Sequence, residues 1–198
     1  MTINKQLHNY MYGQIHSLVE QRNTSGGKSK LARLRRGVGK IPGENHEIWG
    51  IFLNGMPEAF LSHDGTPTHA EWAVYLSLTM FAIHQQGYSE SMHIDGVSLG
   101  RAVAQLIETP DDDGKECERV LHRFGPIVTA KNMCEFSHYL RAMIKLLASK
   151  GIKLDYVKLA EDIYFFQNPE SRKKVQLKWG QDFYINNNNN NTNNKGEN

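Results

Sequence analysis

Apolar residues recur at spacings of three and four along most of the chain, and the segments with this rhythm are predicted as helices. Over residues 4–22, Leu7, Tyr10, Met11, Ile15, Leu18 and Val19 share one face, and the NTSGG run at 23–27 ends that helix. The next helix is predicted from about 29 to 36. Leu31, Leu34 and Val38 then turn inward, Arg33, Arg36 and Lys40 share the opposite side, and Gly37 and Gly39 stop it. A short apolar stretch at 48–61 leads to a long helix over 68–86. Its Trp72, Val74, Tyr75, Leu78, Phe81 and Ile83 make it central, and Thr68 stands where a cap is needed. Further helices are predicted over 97–108, 115–124, 132–150, 155–167 and 171–184. No segment alternates apolar and polar positions between hairpin turns, and no internal repeat is visible. The pattern predicts an all-α fold of two packed helical lobes with about eight or nine helices.

The strongest boundary is TPDDDGK at 109–115, with a proline, three acids and a glycine together. It divides an N-terminal lobe, 1–110, from a C-terminal helical bundle, 111–185. The run NNNNNNTNNKGEN at 186–198 is polar and low in complexity, with nothing to bury, and is read as a disordered tail. At 198 residues the chain is long enough for a sizeable core. No apolar run approaches the length of a membrane span, so no membrane partner is expected. The opening MTINKQLHNY lacks the apolar stretch of a signal peptide. Cys117 and Cys134 lack CxxC spacing and read as reduced thiols of a cytoplasmic protein.

Charge sharpens this picture. The whole chain carries a formal charge of only +2, yet KSKLARLRRGVGK at 28–40 holds six positive residues and no acid. Such a local cationic surface attracts a polyanion, most commonly nucleic acid. Three weaker stripes follow: Lys115, Arg119 and Arg123; His138, Arg141 and Lys145, with Lys131 just before; and Arg172, Lys173, Lys174 and Lys178. A single such stripe is usually a solvated helix face. Together with the first cluster they point to a phosphate-gripping surface, because the acids gather elsewhere, at 111–113 and 116–118. The candidate nucleic-acid-binding residues are Lys28, Lys30, Arg33, Arg35, Arg36, Lys40, Arg119, Arg123, Lys131, Arg141, Lys145 and Lys174. Contacts of this type position a strand without reading its bases. No helix-turn-helix, zinc-finger spacing or RNA-recognition aromatic box is present. Trp49, Trp72 and Trp179 sit among apolar neighbours and are expected in the core.

Other chemistry finds little support. GVSLG at 96–100 matches the nucleophile-elbow spacing, but a polar YSESMHID precedes it where a buried strand is needed, so Ser98 is expected to cap a helix. GGKS at 26–29 resembles the end of a phosphate-binding loop, but Arg22 occupies the position of the first glycine, and the run is read as a flexible basic hinge. His63 and His69, flanked by Asp64 and Glu71, come nearest to a metal pattern, with no second half of a tetrahedral site. No catalytic residue, metal or cofactor is assigned, and the chain is not expected to be an enzyme.

LARLRRGVGK, FAIHQQG at 81–87, RAMIKLLASKGIKLDYVKLAEDI at 141–163 and VQLKWGQDFY at 175–184 occur in an order and spacing that resembles the CasB family. This family is the small subunit of the type I-E CRISPR surveillance complex, Cascade. The likeness spans about 28–184. It implies a non-catalytic helical subunit present in two copies, with the other Cascade subunits, the guide RNA and the target and non-target DNA strands as partners. The subunit would hold the guide–target duplex and steady the displaced strand, with sequence recognition left to base pairing. The resemblance carries over onto Arg33, Arg35, Arg36, Arg119, Arg123, Lys131 and Arg141. Gln181 departs from it, where relatives often carry a basic residue, and the asparagine run lies outside it. Two competing readings are a helical adaptor for an acidic protein partner and a serine hydrolase through Ser98.

Overall fold

The computed structural model describes residues 2–107 and 114–193, with side chains described through 185. Among these the chain forms nine α-helices and two short 3-10 turns. The helices are α1 Ile3–Gln21, α2 Ser25–Arg36, α3 Trp49–Phe52, α4 His69–His84, α5 Leu99–Ala104, α6 Lys115–Thr129, α7 Met133–Ser149, α8 Tyr156–Phe166 and α9 Pro169–Asn193. The fold is all-α, as the periodicity predicts. The one extended feature among the described residues is a parallel bridge between His93 and Leu154, closed by Leu154 N–H to Met92 O at 3.1 Å and Ile94 N–H to Leu154 O at 3.2 Å.

α4 is the axis. It is apolar on nearly every side, which marks an enclosed helix. α8, α7 and α2 pack around it, α1 and α9 flank α8, and α5 lies on α9. A capping box fixes its start: Glu71 N–H donates to Thr68 Oγ1 at 3.1 Å, and Thr68 N–H donates back to Glu71 Oε2 at 2.8 Å. Elements from both sides of 108–113 share one apolar core, from Leu7 and Met11 through Tyr75 and Phe81 to Phe136, Phe166, Trp179 and Phe183. The boundary expected at Asp111 itself falls outside the described residues.

Two glycines set close approaches. A Cβ on Gly27 would lie 1.8 Å from Gln21 O, so the α1–α2 elbow closes only around glycine. The same turn is capped by Thr24 Oγ1, which accepts from Gly27 N–H at 3.0 Å. A Cβ on Gly100 would lie 2.2 Å from Trp179 O, so α5 meets the α9 backbone directly.

Several elements depart from their expected limits. α2 begins at Ser25, so GGKS is the first turn of a helix and not a hinge. The Thr24 cap supplies the reason. α6 runs through Pro126 to Thr129, where the sequence suggested an end at 124. Gly125 has no Cβ to meet the proline ring, and Ile127 continues the buried stripe. α5 is shorter than expected. The α9 backbone continues to Asn193, into the run read as a disordered tail, and residues 194–198 lie outside the described ones. No helix among the described residues is long and apolar enough to cross a membrane.

Candidate nucleic-acid interface

The six cations of residues 28–40 receive unequal environments. Leu31 and Leu34 anchor α2 in the core, and Val38 packs at its edge. Arg33 is half-buried with Nε enclosed and unpaired, so it does not stand on an open face with Arg36 and Lys40 as the helical wheel predicts. Arg35 is also half-buried and donates to Ala82 O at 3.2 Å, and burial pushes its guanidinium below its ordinary range. Arg36 pairs with Glu47 at 2.7 Å. Lys30 donates to Gln21 Oε1 at 2.9 Å. Lys28, Arg36 and Lys40 are exposed. The cause is the α2–α4 contact, which draws the middle of the helix against the core.

The second half differs. Arg119, Arg123, Lys131, Arg141, Lys145 and Lys174 are all exposed. Among the described residues, none of them has a carboxylate within ion-pair distance. Glu116 does line the same cleft as Arg119 and Arg123, so the acids are less segregated than the sequence suggested.

Three clefts organise these groups. The first, about 320 Å³, joins Lys28 and Arg35 to Arg22, with Gln86 and Tyr88 opposite and no acid in its lining. Arg22 Nε donates to Ser89 O at 2.8 Å. Arg22 went unrecognised in the sequence because it sits at the end of α1, outside the basic run. The second, about 200 Å³, brings Lys40 against Arg141, with Trp72, Cys134, Ser137 and His138. These are the two halves of the basic pattern meeting across α4 and α7. The third is an apolar groove of about 600 Å³ between α6 and α7, with Pro126, Met143 and Leu146 in its lining and Arg123 and Lys145 beside them. Lys30, Arg33, Arg36, Arg119, Lys131 and Lys174 line none of the three.

The tryptophans also separate. Trp179 is fully buried, and its Nε1–H donates to Asp162 Oδ2 at 2.7 Å. Trp49 is 48% exposed, with Nε1–H donating to Gly43 O at 2.9 Å. Trp72 is half-buried at the second cleft. The expectation that all three belong to the core therefore holds for Trp179, fails for Trp49 and is met in part by Trp72, which packs against the core from its edge.

The residues considered for other chemistry have structural duties. Ser98 is 1% exposed, caps α5 by accepting from Arg101 N–H at 3.3 Å, and donates to Asp182 Oδ2 at 2.6 Å. Neither of these hydrogen-bond partners is a histidine, and the two bonds tie Ser98 to the α5 cap and to α9. Glu71 is spent in the α4 capping box, and Asp64 accepts from Thr66 N–H at 2.8 Å, so His63 and His69 gain no ligand set from them. His16, His93 and Asp95 do converge, with ligand atoms within 4.8 Å of one another. His93 Nδ1, however, accepts Tyr156 N–H at 3.1 Å, which places the ring proton of neutral His93 on Nε2. That nitrogen is 3.2 Å from Asp95 Oδ1 but poorly aligned with it. A metal at Nε2 would move the proton onto Nδ1, against the Tyr156 N–H, so the trio fits a polar cluster better than a metal centre.

The fold and these clefts define an all-helical protein with cationic surfaces and with its motif serine used as a helix cap. The chain belongs to the CRISPR-associated protein Cse2 family, whose model matches residues 30–184. The crystal structure of CasB from Thermobifida fusca is similar, with a TM-score of 0.75 and 29% identity, over 90% of this chain and 97% of that one. CasB from M. ruber shares the fold at a TM-score of 0.62 and 22% identity, over 90% of this chain and 94% of that one. A search of curated proteins gave no match.

Proposed function

We propose that the chain is a non-catalytic small subunit of a type I-E CRISPR Cascade complex. It grips nucleic-acid backbone without reading sequence, and so stabilises the guide RNA–target DNA R-loop and the displaced strand. The other Cascade subunits and a second copy of the chain are its protein partners. One observation carries the nucleic-acid part: Lys40 and Arg141, from opposite halves of the sequence, line a single cleft whose lining contains no acid. Phosphates are the natural counterpart of such a surface, and their neutralisation releases counterions.

Fluorescence anisotropy with unrelated single-stranded DNAs tests this reading. Affinity should be nearly independent of sequence and fall linearly in log–log form with salt. Absence of binding at low salt overturns it for the free subunit. Co-expression with a guide RNA and the other Cascade proteins tests the assembly, and failure to co-purify removes that part.

The apolar groove between α6 and α7, flanked by Arg123 and Lys145, supports a second reading in which an acidic amphipathic segment of a neighbouring protein docks there. Leu146→Glu should then weaken assembly while leaving DNA binding intact.

A further inference from the structure

We propose that the cleft formed by Lys40, Trp72 and Arg141 is a base-stacking subsite for single-stranded nucleic acid. One base lies against the Trp72 indole, and Lys40 and Arg141 take the flanking phosphates. The inference rests on the nucleic-acid reading above and gives it a location.

The cleft is assembled from three segments. Gly39, at φ +84, turns the chain after α2 and delivers Lys40. Trp72 stands in the first turn of α4, next to Glu71 of the capping box, and its N–H makes the helical bond to Thr68 O at 3.0 Å. Cys134, Ser137 and Arg141, spaced three and four apart, form one face of α7. The aromatic ring is therefore presented from a capped helix packed against another, so little ordering is left for the ligand to induce.

The chemistry selects the occupant. Two cations and no carboxylate line the cleft, which favours an anion. An indole beside them favours a flat ring, because stacking is open to every base. The donor count agrees: Trp49 and Trp179 give their indole N–H groups to protein acceptors, whereas among the described residues Trp72 forms no such bond. A volume of about 200 Å³ suits a single unpaired nucleotide and not a duplex. The first cleft differs at this point. It has cations but no tryptophan, and its Tyr88 hydroxyl donates to Ala148 O.

The test uses the full chain with oligodeoxythymidine carrying 5-iododeoxyuridine. Irradiation should cross-link the strand at Trp72, identified by mass spectrometry, and binding should quench tryptophan fluorescence. A strand of abasic sites should bind the wild type about tenfold more weakly, within the range that base–aromatic stacking provides. Trp72→Leu should lose the cross-link and a similar share of affinity, and Trp72→Phe should keep most of both, with helicity followed by circular dichroism. Alkylation of Cys134 by iodoacetamide should slow when the strand is bound. If salt-dependent binding persists but intact and abasic strands bind alike, or cross-links fall away from Trp72, the subsite is overturned and the backbone-gripping reading stands. If no strand binds at low salt, both fall. If Trp72 is quenched by another Cascade subunit and not by the strand, the cleft belongs to a protein contact and the subsite is overturned.

Discussion

α2 carries the denser charge in sequence, and α6 with α7 carries the freer charge in space. On α2, Arg33 and Arg35 are half-buried, Arg36 is paired with Glu47 and Lys30 is bonded to Gln21. On α6 and α7, Arg119, Arg123, Arg141 and Lys145 are exposed. A cation already desolvated or paired within its own fold has less to give a phosphate. Charge density along a sequence thus overstates the role of a helix that must also bury one side. Lys30, Arg33 and Arg35 of α2 work as part of a frame, whereas Lys28, like the cations of α6 and α7, stays open to a ligand.

The largest expected effect attacks the frame without touching a charge. Gly27→Ala sets a Cβ against Gln21 O and should cost about 3–5 kcal/mol in chemical denaturation. Its neighbour Gly26 has open space, so Gly26→Ala should be neutral or gain about 0.5 kcal/mol from helix propensity. Equal stability of the two variants would mean that the α1–α2 elbow is not closed as described.

Buried titrating groups give a second contrast, between α4 and α8. Burial holds His84 down at about 4, so the unfolded chain takes the proton first, and stability drops as pH falls from 6.5 toward 4. Burial raises Asp162 to about 6, against the pull of the Trp179 N–H and of Lys158 and Lys178. The folded state then takes the proton first, and stability rises as pH falls from about 6 toward 4. Each contribution is on the order of 3 kcal/mol, with opposite sign. Asp162→Asn removes the compensation and should be more acid-labile than the wild type when denaturation midpoints at pH 7 and 4.5 are compared. An unchanged difference would show that Asp162 does not titrate in that window.

Smaller effects separate the two sets of cations directly. Arg35→Leu loses the bond to Ala82 O and should cost about 1 kcal/mol. Arg123→Leu, at an exposed site, should stay within about 0.5 kcal/mol. In binding the order reverses. Removing Arg119 and Arg123 should lower the log–log salt slope for single strands by up to about 0.7 for each phosphate that is no longer neutralised. Removing Lys30 and Arg36 should lower it less. A larger drop from the α2 pair would invert the comparison.

Much of the helical framework was legible in the sequence. The caps at Thr68, Ser98, Asn132 and Asp155 all stand at or beside predicted helix starts, because capping and periodicity act over one or two turns. Pro126 and Gly27 do not act as the breaks their residue types suggest, since whether a glycine or proline ends a helix depends on what lies against it. The order and spacing of LARLRRGVGK, FAIHQQG and VQLKWGQDFY pointed to the family whose model matches residues 30–184.

The sequence by itself determined the all-α class, the supply of cations and the core-facing stripes, because each follows from residue type and local spacing. Tertiary packing alone decided which cations remain free, that Lys40 meets Arg141, and that Trp72 lines a cleft while Trp179 closes the core. Those facts depend on contacts between residues far apart in the chain, and no helical period encodes the partner on the other side.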